Sequence, residues 1–197
     1  MNKNIKKIIY IDDISLPSFR AKIVHIFKMV DNFCDFFKEV ELIVKDKSKV
    51  YLNSNIIKDF NLYNKHFRIN SIFGNKKKDN FINRIIFGYI SAKKVDDKNS
   101  LIITRSFYVS FALFFLKKKH FLEIHQELSG LTKFFFKLIQ IFGYHRNIKI
   151  IFITKALSNY YKKFNLKNII LPDAVDLRDF DENNKIYIKR KKFKKIK

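Results

Sequence analysis

The sequence has one cysteine, no tryptophan, two prolines and four glycines in 197 residues, and its 18 acidic side chains are outnumbered by 41 basic ones. With Cys34 alone, an intrachain disulfide and a multi-cysteine metal site are both excluded, and a reducing compartment, the cytoplasm, is the expected setting. The few glycines form neither a phosphate loop of the P-loop kind nor a Gly-x-Ser-x-Gly nucleophile elbow. The first apolar stretch ends at Asp12-Asp13 and is too short for a signal peptide. The longest nearly apolar run, residues 107–116, falls well short of the roughly 18 residues that span a bilayer, so no membrane-spanning helix is expected.

What is present has a globular balance, 47% hydrophobic and 30% charged, over a length suited to one core. The net charge of +23 calls for an anionic partner: nucleic acid, an anionic membrane or a phosphorylated substrate. Abundant Lys, Ile, Asn and Phe beside scarce Gly and Pro fit drift toward AT-rich codons, which supplies part of that excess. The last stretch, 181–197, holds eight basic and two acidic residues, so without it the charge is still +17. That tail reads as a frayed, solvated end, and 1–180 as the folded domain.

Apolar, β-branched runs alternate with segments of helical period, the pattern of repeated βα units. Strands are expected at 6–11, 40–45, 67–72, 101–104, 121–124, 149–153 and 168–171, several apolar on both faces as buried parallel strands are. Helices are expected at 18–37, 80–92, 106–116, 128–142 and 154–164, with Ser18 as a cap for the first and a short helix within 48–65. The expected fold is therefore a single α/β, Rossmann-like, doubly wound and mostly parallel sheet of about seven strands.

In such a sheet, ligands bind beyond the carboxyl ends of the strands. The polar residues falling there are Asp12 to Arg20, Thr104-Arg105-Ser106, Glu123-Ile124-His125, Thr154-Lys155 and Pro172-Asp173-Ala174-Val175-Asp176. Glu123 and His125, two apart on a strand end, point to the same side. An imidazole can donate a hydrogen bond or move a proton near neutral pH. Arg105 offers a planar fork of donors to a phosphate or carboxylate, or a salt bridge to Glu123. Histidines 25, 66, 120 and 145 show no metal-ligand spacing, and His120 to His125 is not a HExxH pattern, so no metal and no other cofactor is expected.

Five stretches in this order resemble the N-terminal, acceptor-side domain of family 4 glycosyltransferases, enzymes of two-domain GT-B architecture. They are Pro17-Ser18-Phe19-Arg20 with Ile23-Val24-His25-Ile26-Phe27, then Glu39-Val40-Glu41-Leu42-Ile43-Val44, Ile102-Ile103-Thr104-Arg105, Leu122-Glu123-Ile124-His125, and Ile170-Leu171-Pro172-Asp173-Ala174-Val175-Asp176. The resemblance covers about residues 5–180. That family commonly has Pro-Asn-Gly-Val-Asp at the last stretch and often glycines after the first strand; Ala174 stands in place of the former Gly and the first loop has none.

The resemblance implies transfer of a sugar from a nucleotide-sugar donor to a glycan or lipid-linked acceptor, as in cell-envelope polysaccharide synthesis. It implies catalytic roles for His125 and Glu123, acceptor contacts from Ser18, Arg20 and Arg105, and hinge roles for Asp173 and Asp176. The family's second, donor-binding domain has no counterpart in the sequence, so a truncated chain, inactive alone, is expected. Basic and aromatic residues in 107–119 and 131–146 suit peripheral contact with anionic lipid on the inner face of the membrane. The competing reading is a non-catalytic basic module for membrane or nucleic acid, nucleic acid being the less favoured; it needs one continuous basic stripe with exposed aromatics instead of a strand-end cleft.

Overall fold

The computed structural model describes residues 5–48, 53–64, 66–74, 80–142, 147–164 and 168–171. The chain runs β1 (Lys7–Leu16), α1 (Ala21–Phe33), β2 (Glu39–Lys47), α2 (Asn53–Asp59), β3 (Phe67–Ser71), α3 (Phe81–Lys94) and β4 (Ser100–Thr104). It continues through α4 (Phe107–Phe115), β5 (His120–Ile124), α5 (Gly130–Ile141), β6 (Ile148–Phe152), α6 (Lys155–Tyr161), a 3-10 turn (Lys162–Phe164) and β7 (Asn168–Ile170). The seven strands form one sheet in the order β3-β2-β1-β4-β5-β6-β7, and every pairing is parallel. This is a doubly wound, Rossmann-like α/β fold whose strand order reverses between β1 and β4.

Alternation along β1 builds the two layers. Ile8 and Tyr10 pack with Ile23, Ile26, Phe27 and Val30 of α1, the i, i+3, i+4, i+7 stripe of one helix face. Ile9 and Ile11 point the other way, to Phe87 of α3 and to Val109 and Leu113 of α4. A third cluster joins Leu122, Ile124, Ile150 and Phe152 to Phe107, Phe114, Phe136 and Tyr161. Burying each such side chain contributes about 1.5–3 kcal/mol before the entropy of ordering it is counted.

Two elements differ from the sequence expectation for local reasons. β1 runs on past Ile11 to Leu16, because after an irregularity it pairs again with β2 at Ser15↔Asp46 and Leu16↔Lys47. Ser15 Oγ also donates to Asp46 Oδ2 at 3.0 Å. Asp12 and Asp13, expected in a loop, thus lie inside a strand. Helix α1 starts at Ala21, with Arg20 at the N-cap position in extended conformation (φ −64°, ψ 146°) and no side-chain cap bond, so Ser18 does not cap it. At its other end, buried Asp31 accepts hydrogen bonds from the backbone N–H of Tyr63 and Asn64 (3.2 and 2.7 Å) and pins the α2–β3 connection.

Candidate functional site

Glu123 lies on β5 between Leu122 and Ile124, whose side chains enter the third cluster, so its own points to the α1 layer. There, 4% exposed, it meets three groups from three elements. Tyr10 of β1 donates from its hydroxyl to Oε2 at 2.9 Å. His125, the first residue after β5, donates Nε2–H to Oε1, since an ionised carboxylate only accepts. His25 of α1 places Nε2 3.7 Å from the same Oε1. The two imidazoles stand edge to face with centroids 5.4 Å apart, and their side chains are 22% (His25) and 18% (His125) exposed, so the cluster opens to solvent on the histidine side.

Arg105 follows β4. The β4–β5 register pairs Ile103 with Phe121 and Thr104 with Leu122, which carried one step further sets Arg105 level with Glu123. Among the described residues Arg105 makes no direct ion pair, and its buried Nη1 has no hydrogen-bond partner.

The charges explain one another. Burial pushes the Glu123 carboxyl upward, but the attraction of His125, His25 and then the Arg105 charge outweighs it and holds the group well below the usual carboxylate range. The anion in turn acts on Tyr10: burial first, then the Glu123 charge, push that phenol well above its ordinary value, so it remains a donor. A buried carboxylate is thus kept ionised at the carboxyl end of the sheet, beside the strand-order reversal, which is where open parallel sheets bind ligands.

A second cluster closes the other side of the β1 end. Asp12, fully buried, accepts from Lys22 Nζ at 2.6 Å through Oδ1, while its buried Oδ2 has no partner among the described residues. Asp13 is 3.5 Å from Lys22 and 3.8 Å from Arg84. Burial, partly countered by Lys22 and reinforced by Asp13, raises Asp12 to about 7. His120, by contrast, is structural. Its Nδ1–H donates to Lys118 O (3.0 Å), its Nε2 accepts from Ser110 Oγ (2.8 Å), and burial lowers it to about 4.

Of the residues singled out in the sequence, the fold brings Glu123 and His125 into contact and places Arg105 within electrostatic reach. The side chains of Ser18 and Arg20, half-buried and exposed in the β1–α1 connection, make no hydrogen bond or ion pair with the cluster. Asp173 and Asp176, like the tail 181–197, lie outside the described residues. Tyr10 and His25 were missed. Both left signals: a tyrosine hydroxyl in an otherwise apolar strand needs a partner, and a histidine stands on the buried side of α1 beside Ile26. A hollow lined by Lys7, Glu39, Glu41, Lys94, Asp96 and Asn99 lies at the opposite, amino-terminal end of the strands and is bridged by the Lys7–Glu41 pair at 2.6 Å.

The surface of α3, α4 and α5 is the other distinctive face. Phe81, Tyr108, Phe135, Phe111 and Phe115 form a chain of ring contacts, with Phe81, Ile82, Ile85, Phe115, Phe134 and Ile141 exposed. Exposed Lys93, Lys94, Lys117, Lys119, Lys133 and Lys137 belong to the same helices and their ends. Among the described residues no helix is long and apolar enough to cross a membrane.

Compared with known proteins, the chain matches no family model and no curated protein. Among solved structures it is similar to a glycosyltransferase from Rickettsia africae ESF-5, with a TM-score of 0.57 and 13% identity over 96% of this chain. The two share a fold. The match spans 49% of the glycosyltransferase, so this chain corresponds to about half of that molecule's length.

Proposed function

We propose that this domain is the acceptor-side half of a glycosyltransferase, with the Glu123–His125 pair as its catalytic centre. The observation that carries the reading is the ionised, buried Glu123 gripping a solvent-facing imidazole at the ligand-binding end of a fold shared with a glycosyltransferase. Because Nε2–H of His125 points to Glu123, its Nδ1 holds the lone pair and can act as the base. An acceptor hydroxyl placed there loses its proton to Nδ1 as its oxygen forms a bond to the anomeric carbon of the donor sugar. The bond from that carbon to the nucleoside diphosphate breaks, and the diphosphate leaves with the electron pair. Glu123 holds the imidazole in the productive tautomer and stabilises the imidazolium.

Arg105, whose buried Nη1 has no partner among the described residues, suits an anionic group on the acceptor, and Ser18 and Arg20 border the same strand end. The nucleotide sugar is carried, in this reading, by a second Rossmann-like domain, with Asp173 and Asp176 at the hinge. The aromatic and lysine-rich face of α3–α5 suits docking on anionic lipid, which would bring a lipid-linked acceptor to the cleft.

The test is a transfer assay with labelled nucleotide sugars, glycan and lipid-linked acceptors, and a donor-binding domain supplied alongside the full chain. Transfer that falls by about 10²–10⁴-fold in His125→Ala supports the reading. Transfer indifferent to His125 and Glu123 overturns the site. Preferential sedimentation with phosphatidylglycerol vesicles over phosphatidylcholine vesicles checks the lipid face.

A further inference from the structure

We infer that His25, Glu123 and His125 form a binding site for a divalent transition-metal ion of the zinc class. One ligand atom from each residue lies within 4.8 Å of the others, although 98 positions of sequence separate His25 from Glu123. Spacing along the chain therefore hid the set: only Glu123-x-His125 is local, and the third member arrives from α1 by the packing of that helix on the sheet.

Two imidazoles and one carboxylate are a donor set suited to zinc, iron(II), cobalt(II) and nickel(II), with coordination positions left for water or substrate. Two ligands each about 2.0 Å from one tetrahedral ion stand about 3.3 Å apart, so the 3.7 Å between His25 Nε2 and Glu123 Oε1 needs only a small adjustment. His125 must open slightly from Glu123, exchanging the proton between them for the ion. Metal binding at such a site releases protons for the same reason.

The surroundings are those of a metal site as well as of a proton relay. Tyr10 occupies Oε2 at 2.9 Å, which leaves Oε1 as the ligating oxygen and fixes the carboxylate, the role an outer-shell hydrogen bond plays in metal sites. The ligand carboxylate and His25 Nε2 are buried, while other ring atoms of both imidazoles reach solvent. Arg105 weighs against a cation but supplies a counter-group for an anionic ligand of the bound ion.

With Nε2 of His125 on the ion the ring proton sits on Nδ1, so the metal-bound form and the general-base form of His125 exclude each other, and the inference is tested without any sugar. The full chain, stripped with a chelator and dialysed, is titrated with zinc chloride by calorimetry, and in parallel with cobalt(II) chloride read by visible absorption. The expected result is one saturable site, lost in His25→Gln and His125→Gln, weakened about 10–100-fold in Tyr10→Phe, and unchanged in His66→Gln. Circular dichroism confirms that the histidine variants fold; both sites are partly exposed, so they remain informative if Glu123→Gln does not fold. No saturable binding, or binding indifferent to His25 and His125, overturns the inference, and transferase activity plays no part in either outcome.

Discussion

The Tyr10 hydroxyl donates a 2.9 Å hydrogen bond to Glu123 Oε2 across 113 positions of sequence, joining β1 to β5 over the strand between them. Both groups are buried, so neither can exchange this bond for water at no cost. Removing the donor by Tyr10→Phe leaves a buried carboxylate one bond short. Stability should fall by about 1.5–3 kcal/mol, as for a hydrogen bond to a charged group. Urea unfolding followed by circular dichroism measures it, and an unchanged midpoint would mean that Glu123 finds a replacement.

Asp12 gives a pH dependence of the opposite sign to the usual carboxylate. Its pKa rises from 3.8 to about 7 on folding. The fold therefore favours the neutral form, and this contribution is complete below about pH 3.8 and lost as pH rises through 7. Asp12→Asn should be more stable than the native chain at pH 8, on the order of 2–3 kcal/mol, with the advantage shrinking toward pH 4. Lys22, its partner, is 41% exposed and can turn to water. Denaturant midpoints at pH 8, 6 and 4 give the comparison.

His120 works the other way. Burial lowers its pKa from 6.5 to about 4, so stability is fully present above pH 6.5 and is lost as pH falls through 4. Proton NMR of the imidazole Cε1–H should show His120 titrating near 4 while the chain stays folded. A midpoint near 6.5 would mean that the Ser110–His120–Lys118 chain of hydrogen bonds does not hold.

Gly88 is where α3 and α4 touch backbone to backbone. A Cβ there would lie 2.6 Å from Tyr108 O and 2.7 Å from Tyr108 C, and backbone cannot turn aside as a side chain can. Gly88→Ala gains helix propensity but must push the helices apart. The net effect should be a loss of about 1–3 kcal/mol, seen as a lowered thermal midpoint; a raised midpoint would contradict the close packing.

The fold was legible in the sequence because parallel strands buried on both faces read as short apolar runs, and each of the seven falls within a residue or two of its expected place, apart from the end of β1. That end was hidden because Asp12 and Asp13 look like a loop until Lys22 and Arg84 are seen against them. Ser18 looked like a cap because it precedes the apolar stripe, whereas Arg20, extended, holds the N-cap position. Glu123 and His125 were visible as an i, i+2 pair on a strand end. Tyr10 and His25 were not, since what makes them part of the site is tertiary packing and no local pattern encodes it.

Acceptor binding at the Glu123 cluster is what the proposed function requires. Titrating ¹⁵N-labelled protein with candidate glycans and soluble lipid-linked acceptor analogues, followed by amide chemical shifts, tests it most directly. Saturable shifts confined to residues around Tyr10, His25, Arg105 and Glu123 to Gln126 are the predicted result. Shifts confined to the aromatic, lysine-rich surface of α3–α5, or none from any acceptor, would contradict it.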